Sequence, residues 1–480
     1  MKRVQLTTVQ SAGTSDNLVV LADKDKLDAL DAHLAPHESA FLRRAATLDV
    51  SNFFFPRAES VVFVRLFKPD RDAAVAREEV RLAGNDLLRE VRQYKLDSVT
   101  IRNLCQQDFS LSFAEGMALG SYQFLKYFSK PSKKEKILRE IRLENTALTD
   151  ADIRETNTVL EAVFLARDLV NEPHSHLNAV HLAEAVVAAG ETFGFSVDVL
   201  GKEKIEALKM GGLLAVNQAS TVPPQFCVLE WKPEGARNTK PIVLVGKGVV
   251  YDTGGLSLKP SDGMAYMKCD MAGAAAVVGT LAAAAKTGMP LHLIGLIPAT
   301  DNKIGERALS PGDVITMGSG TTVEVVNTDA EGRLILADAL HFAQKYDPEL
   351  VLDLATLTGS AVKALGTQVI CYMGTAPEHV KKQLENSGFA TYERLVELPL
   401  WKEFGDDLKS NIADLKNLGS SNAGMITAGK FLEHFTKFPW LHLDIAGPAY
   451  LRAANGYRTK EGTGVGVRLL FDFLKKHATI

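Results

Sequence analysis

The sequence predicts a two-domain α/β protein: a smaller N-terminal α/β domain and a larger C-terminal α/β domain around a central mixed sheet. Three observations lead there. A chain of 480 residues is long for one domain and suits two or three. Short apolar or β-branched runs alternate with segments of helical periodicity, the pattern of sheets covered by helices. A long helical stretch over 150–170 separates two such alternating regions. The expected boundaries are 1–148 for the N-terminal domain, 149–171 for a connecting helix and 172–480 for the larger domain.

Taken in order, residues 18–21 and 61–66 read as strands, 72–94 as a helix, 99–101 as a strand and 113–128 as another helix. Lys130-Pro131-Ser132-Lys133-Lys134-Glu135-Lys136 is a polar interruption and reads as a solvated turn. The helix over 150–170 has an acidic start, with Thr149 as its N-cap, and Pro173 marks its end. His174, His176 and His181 cluster near the next helix start and read as caps or surface groups. Residues 242–245, after Pro241, form a short apolar run that suits a buried strand. A glycine-punctuated loop carrying Lys247 and Asp252 is expected to follow. Asp270 stands at the start of a small-residue run over 271–278, a tightly packed helix. Residues 322–326 are a second β-branched run, Asn327 begins the loop leaving it, and 334–342 have helical spacing. Both regions share one order: strand, polar loop, helix. Loops beyond the carboxyl ends of strands are where open α/β sheets hold ligands, so two such loops side by side would form one cleft. Gly462-Thr463-Gly464-Val465-Gly466 is followed by too little chain for a nucleotide-binding unit and reads as close backbone packing.

These two loops concentrate chemistry. Asp252, Asp270, Asp329 and Glu331 supply four carboxylates; Lys247, Lys259 and Arg333 supply three cations. Carboxylates brought within a few Å of one another cannot all stay ionised without counterions, and divalent metal ions are the simplest source. The donor set is rich in oxygen. No Cys-x-x-Cys pair occurs, and the His33 and His37 spacing is interrupted by Pro36 and lacks an adjoining Glu, which argues against structural zinc. Carboxylate sites suit magnesium or manganese, and also catalytic zinc. A lysine joins such a site only as the neutral amine, so the metal must displace a proton from a group of ordinary pKa about 10.4. Plainer readings exist: Glu331 and Arg333 as an exposed ion pair, Lys247 as a solvated loop lysine, Asp252-Thr253-Gly254 as half of an aspartic-protease dyad. The neighbours of the first two weigh against those readings, and no second such triplet exists for the third.

At these residues the chain resembles the leucine aminopeptidase family of cytosolic dinuclear metallopeptidases. The run Asn327-Thr328-Asp329-Ala330-Glu331-Gly332-Arg333-Leu334 is that family's hallmark, unbroken here. The Gly-Lys-Gly, Asp-Thr-Gly-Gly, Lys and Asp-Met elements fall in order at Lys247, Asp252, Lys259 and Asp270. The resemblance covers roughly residues 160 to 480 and includes Asp353-Leu354-Ala355-Thr356-Leu357-Thr358-Gly359 and His442-Leu443-Asp444-Ile445-Ala446-Gly447. It implies removal of N-terminal residues from peptides and aminoacyl amides, with a hydroxide bridging two metals as nucleophile and a preference for leucine-like side chains. It implies Asp252 and Glu331 as bridging ligands, Lys247 and Asp270 at the tighter site, and Asp329 at the more exchangeable one. Lys259 matches the lysine that polarises the scissile carbonyl, and Arg333 the arginine that holds a bicarbonate acting as general base. Met267, Asn327, Thr356, Leu357 and Gly359 align with substrate-contacting positions. The metals implied are zinc or manganese, with magnesium or cobalt as alternatives, and the family is usually a hexamer of two trimers. Gly263, Ala265 and Tyr266 depart from a common Asn, Asp and Leu pattern, and Thr253 replaces the commoner Ser; these changes bear on side-chain preference.

Composition fits this picture. A net charge of −4 gives no overall pull towards nucleic acid or anionic membrane. Met1-Lys2-Arg3 is followed by Val-Gln-Leu-Thr-Thr and not by an apolar signal core, so secretion is not indicated, and no run has the length of a membrane span. Cys105, Cys227, Cys269 and Cys371 show no disulfide or zinc spacing, which suits a reducing cytoplasm, and Cys269 reads as a packed thiol. Three other readings stand beside the peptidase: a silent scaffold, a nucleic-acid-binding protein, and a different two-metal hydrolase such as a phosphatase.

Overall fold

The computed structural model describes residues 3–13, 15–68, 73–144 and 146–479. Met1, Lys2 and the expected helix start at Asp72 lie outside them. Packing divides the chain into two units, Met1–Glu161 with Ala453–Thr459, and Ala162–Arg452 with Lys460–Ile480. The division falls within the helix Asp150–Asn171. Thr149 Oγ1 accepts from the Asp152 backbone N–H at 3.2 Å and caps it.

In the N-terminal unit, six described strands run in the order Gln5–Val9, Glu140–Glu144, Ser98–Asn103, Leu18–Asp23, Val61–Phe67 and Asn52–Pro56. All pair in parallel except the last, which is antiparallel. The helix Ala73–Gln93 packs closely on Ser110–Gly120: a Cβ on Gly84 would lie 2.1 Å from Phe113 O, and one on Gly116 1.9 Å from Arg81 O. The expected helix over 113–128 therefore begins three residues earlier and stops at Gly120. Beyond it the Gln123 amide exchanges two hydrogen bonds with the Lys136 backbone, both 3.0 Å, and holds the segment out of helical form.

The larger unit is built on a nine-stranded mixed sheet. Its centre is four parallel strands, in the order Trp440–Asp444, Leu350–Ala355, Ile242–Gly246 and Leu293–Asn302. Antiparallel strands flank them on both sides. Every residue of Leu350–Ala355 and Ile242–Gly246 is buried, as expected of strands covered on both faces. The chain after Ile242–Gly246 is not the expected loop. Val249-Val250-Tyr251 suits a strand, and Gly248–Asp252 pairs in parallel with the far end of Leu293–Asn302. Lys247 thus sits at the break between two strands that both pair with Leu293–Asn302, and Asp252 ends the second strand. The run at 322–326 also differs: Thr322–Glu324 belongs to a separate small sheet with Val314–Thr316 and Leu415–Lys416.

The small-residue helix Ala272–Thr287 is buried from Ala272 to Ala285. A Cβ on Gly246 would lie 2.6 Å from Ala274 Cα, and one on Gly273 would lie 2.0 Å from Leu354 O. Only glycine lets helix and strands approach this closely, and the Ala274 N–H then reaches the Lys247 carbonyl at 3.0 Å. Glycine also serves the run 462–466 as expected, with Gly464 at φ +73° against Val163 and Gly466 at φ +95°.

Asp338, within the helix Gly332–Ala343, is a buried structural acid. It accepts the backbone N–H groups of Leu213 at 3.0 Å and Gly318 at 2.9 Å, which ties the start of the helix Gly211–Asn217 and the turn at Gly318 to its own helix. Burial pushes its carboxyl up to about 7 against the pull of those donors. The Asp338→Ala substitution orphans the donors and is expected to cost about 2–4 kcal/mol in a urea melt. A folded pKa raised above the unfolded one makes the acid's contribution whole near pH 4 and lost as pH rises through about 7. The penalty should therefore be larger at pH 5.5 than at pH 8; an equal penalty would remove Asp338 from this role.

Candidate metal centre

Carboxylates and lysines from five segments converge beyond the carboxyl ends of the central parallel strands. Lys247 follows Ile242–Gly246, Asp252 ends Gly248–Asp252, and Thr356 follows Leu350–Ala355. Asp270 stands two residues before the Ala272–Thr287 helix, and Glu331 stands just before Gly332–Ala343 without a side-chain capping bond. Lys247 Nζ lies 2.9 Å from Asp270 Oδ2 and 2.8 Å from Glu331 Oε1, and donates to Thr356 O at 3.0 Å. Lys259 Nζ lies 2.8 Å from Asp252 Oδ2 and 2.6 Å from Asp329 Oδ1. The plain reading of Lys247 as a solvated lysine fails, since it is only 3% exposed. Glu331 and Arg333 are likewise buried, at 1% and 4%, and not an exposed pair.

Side chains and backbone lock this arrangement from behind. Asp252 Oδ1 accepts from Gly254 N and from Asn302 Nδ2, both 2.8 Å, and Asn302 Nδ2 also donates to Thr328 O. Thr356 Oγ1 donates to Asp270 Oδ1 at 2.8 Å. Asn327 Oδ1 accepts the Asp329 N–H at 2.7 Å, folding the loop back on itself. Ser257 and Thr328 join the two loops by reciprocal hydrogen bonds of 2.8 and 3.1 Å. Asn417, fully buried, takes the Val326 N–H on its side-chain oxygen, donates to Asn327 O, and offers its own carbonyl to Arg333 Nη1 at 2.7 Å. Asp444 accepts from Leu357 N, Thr358 Oγ1 and Ala446 N, which fixes residues 356–359 beside the cluster. Asn302 and Asn417 stood outside every sequence motif singled out above.

The electrostatics call for cations. Burial raises the Asp270 carboxyl well above its usual range, with Glu331 and Asp252 adding to the rise and Lys247 opposing it. Burial, with Asp252 and Glu331 beside it, pushes Asp329 up to about 7. Burial disfavours the charge on both lysines, yet the surrounding carboxylates hold each above its ordinary value. Burial also lowers Arg333 to about 10. Asp252, Asp329 and Glu331 each offer an oxygen, and these lie within 4.8 Å of one another. Asp270 Oδ2, Asp329 Oδ1 and both Glu331 oxygens accept no well-formed hydrogen bond, although lysine nitrogens stand near some of them. Lone pairs left open in a buried acidic cleft fit hard divalent cations. Arg333 Nε is similarly without a protein partner.

The other expected positions are distributed around this core. Thr356 and Asn327 touch it directly, Leu357 is held through Asp444, Met267 lies on the short turn before Asp270, and Gly359 begins the helix Gly359–Leu365. Tyr266 stacks on Tyr450 at 5.7 Å, with Arg452 over its other neighbourhood at 4.8 Å. His174 is neither a cap nor a surface group: it is half-buried, 5.2 Å from the Tyr251 ring and 3.8 Å from Asp301. The cap of the next helix is Asn178, which accepts the His181 N–H. Cys269 is buried, as expected.

The catalytic-domain model of the cytosol aminopeptidase family matches residues 164–471. The chain belongs to the cytosol aminopeptidase family. A probable cytosol aminopeptidase of Chlorobium phaeobacteroides is 48% identical over 380 residues, covering 76% of this chain and 75% of that one. One from Chloroherpeton thalassium is 41% identical over 456 residues, 88% of each chain. Among solved structures, the bottromycin maturation enzyme BotP in complex with Mn superposes with a TM-score of 0.85 at 31% identity, covering 96% and 99% of the two chains. A mutant of tomato leucine aminopeptidase gives a TM-score of 0.87 at 27% identity, covering 99% and 97%. The protein is thus a metal-dependent exopeptidase that hydrolyses N-terminal residues, on the two-domain fold of its family.

Gly332 provides a test of the cluster's tolerance. A Cβ there would lie 2.6 Å from Lys247 Nζ, in a site with no room for the lysine to retreat. Gly332→Ala should cost about 1–3 kcal/mol of stability as an overpacked site does, and lower metal content and turnover together, the latter about a hundredfold. Normal turnover in that variant would mean that Lys247 need not stand where it does.

Proposed function

We propose that this aminopeptidase works with two divalent ions held by Lys247, Asp252, Asp270, Asp329 and Glu331. The observation that carries the reading is a convergent set of four carboxylates set against two lysines, with oxygens that accept no well-formed hydrogen bond. Asp252 and Glu331 stand centrally and suit ligands shared by both ions; Lys247 and Asp270 suit the inner ion. Asp329, with a side chain 34% exposed, suits the outer, more exchangeable one. Zinc or manganese are the metals proposed; magnesium and cobalt match the donor set as well. When bound, such ions lower the pKa of water towards neutrality and polarise the carbonyl of the scissile bond.

The chain's own groups then have distinct tasks. Lys247 contributes a neutral amine, its proton displaced by the metal charge. Lys259, 18% exposed and so reachable from the cleft, stays cationic and faces the carbonyl oxygen as negative charge develops there. Arg333, with Nε open, would hold a small anion, bicarbonate in this proposal, which would supply a general base beside the metals. Met267, Asn327, Thr356, Leu357 and Gly359 line the substrate position, with a preference for leucine-like side chains. Only a free N-terminal amine can serve as an additional ligand, which restricts cleavage to the first residue. We further propose a homohexamer acting in the cytoplasm. Turnover of a panel of aminoacyl amides beside a phosphomonoester tests the substrate class: leucine amide should lead, and a faster phosphomonoester would replace this reading with a phosphatase.

Two predictions follow from the separate tasks. Lys247→Ala should lose metal and be partly rescued by added metal, whereas Lys259→Ala should keep both ions and lose about a hundredfold to a thousandfold in kcat, roughly 3–4 kcal/mol. Metal analysis with steady-state kinetics decides it; the reverse pattern would exchange the two roles. N-acetylated peptides should bind poorly and turn over hardly at all. Equal cleavage of free and acetylated peptides would rule out the amine as a ligand.

A further inference from the structure

The N-terminal unit holds a cavity of about 850 Å³ lined entirely by its own residues, including the segment Ala453–Thr459 that packs with it. That volume lies within the roughly 300–1,000 Å³ range of small-molecule sites. Two features separate it from an ordinary surface hollow. The first is unbalanced cationic charge. Arg65 donates only to neutral groups, Ser51 Oγ at 3.2 Å and Asn52 Oδ1 at 2.6 Å, and Arg92 only to the Gly120 carbonyl at 2.9 Å. Neither guanidinium has a carboxylate at ion-pair distance among the described residues, and Lys136 lines the same cavity. Asp86 and Glu90 also line it, but Glu90 is engaged by Arg89 at 2.8 Å. Burial pulls both Arg65 and Arg92 below their ordinary pKa; Asp86 and Glu79 oppose the fall at Arg65 without pairing with it, and no carboxylate opposes it at Arg92.

The second feature is orphaned polar atoms. Arg65 Nε and Thr459 Oγ1 are buried without a hydrogen-bond partner, and both residues line the cavity. Buried polar groups are almost always paired, so two orphans among the lining residues of one cavity point to a partner from outside the chain. On the same sheet face as Arg65 lie Phe54 and Phe63, whose rings meet at 5.2 Å, with Phe54 stacked on Tyr94 at 4.6 Å. Guanidinium forks match phosphate oxygens, and aromatic faces match a flat ring.

We propose that this cavity binds a small phosphate ester carrying a planar ring, of the nucleoside monophosphate class, at a site separate from the metal centre. The test is calorimetric titration of the full-length enzyme with adenosine monophosphate, adenosine and inorganic phosphate. The monophosphate should bind at least tenfold more tightly than either fragment. Arg92→Gln, which keeps a donor for Gly120 O, and Phe54→Leu should each weaken it at least tenfold while turnover of leucine amide stays unchanged. A circular-dichroism spectrum and melting temperature matching the parent show that the N-terminal unit of each variant is folded. Phosphate binding as tightly as the ester would overturn the ring assignment. Binding that survives both substitutions would place the ligand elsewhere, and an absence of heat with all three probes would overturn the site.

Discussion

Like charge packed into a buried cleft is the constraint on which the rest of this structure depends. Two carboxylates about 4 Å apart repel by roughly 4 kcal/mol at the effective dielectric of a protein cleft. Three such pairs approach the entire stability of a typical domain, about 5–15 kcal/mol. Asp252, Asp329 and Glu331 meet within 4.8 Å, with Asp270 behind them, so four negative charges face two lysines. Two ammonium groups leave an excess of negative charge, and divalent cations are the economical remedy. In the proposed function the same ions would serve the aminopeptidase chemistry, since divalent cations that offset the carboxylates can also activate water and a carbonyl.

Holding the cluster requires rigid backing. The parallel strands end at one edge of the central sheet, and the helix Ala272–Thr287 is pressed onto them through Gly246 and Gly273. That close approach delivers Asp270 to Lys247. Asn302, Asn417 and Asp444 then spend their hydrogen bonds on the loops bearing Asp252, Asp329, Arg333 and Thr356. Behind Asp444, fully buried His442 gives its Nδ1 contact to Asp353 Oδ1 at 2.6 Å, and Trp440 donates to Asp353 Oδ2 at 2.7 Å. Removal of the backing would disturb the site without touching a ligand.

Much of the site was legible because its chemistry lies in contiguous motifs. The run from Asn327 to Leu334 carries two carboxylates, an arginine and the asparagine that folds the loop, all within eight residues. The backing was less legible. Asn417 lies about ninety residues from the loop it organises and belongs to no periodic pattern, so nothing local distinguishes it from a surface asparagine. The strand Gly248–Asp252 was obscured by its glycines, which suggested a loop; pairing with Leu293–Asn302 overrides that local preference. The helix expected to reach 128 kept helical spacing of aromatic residues past Gly120, but Gln123 found a better partner in the Lys136 backbone. In each case a contact distant in sequence outweighed the local pattern.

The central claim is that the carboxylate cluster exists to hold two divalent ions. Equilibrium dialysis of the chelator-treated protein against manganese, with bound metal counted by mass spectrometry, measures this directly. The account predicts saturation at two ions per chain, reached in two steps of unequal affinity, with leucine amide turnover appearing as the sites fill. A protein that hydrolyses leucine amide at full rate with no bound metal, or that saturates without gaining activity, would contradict it.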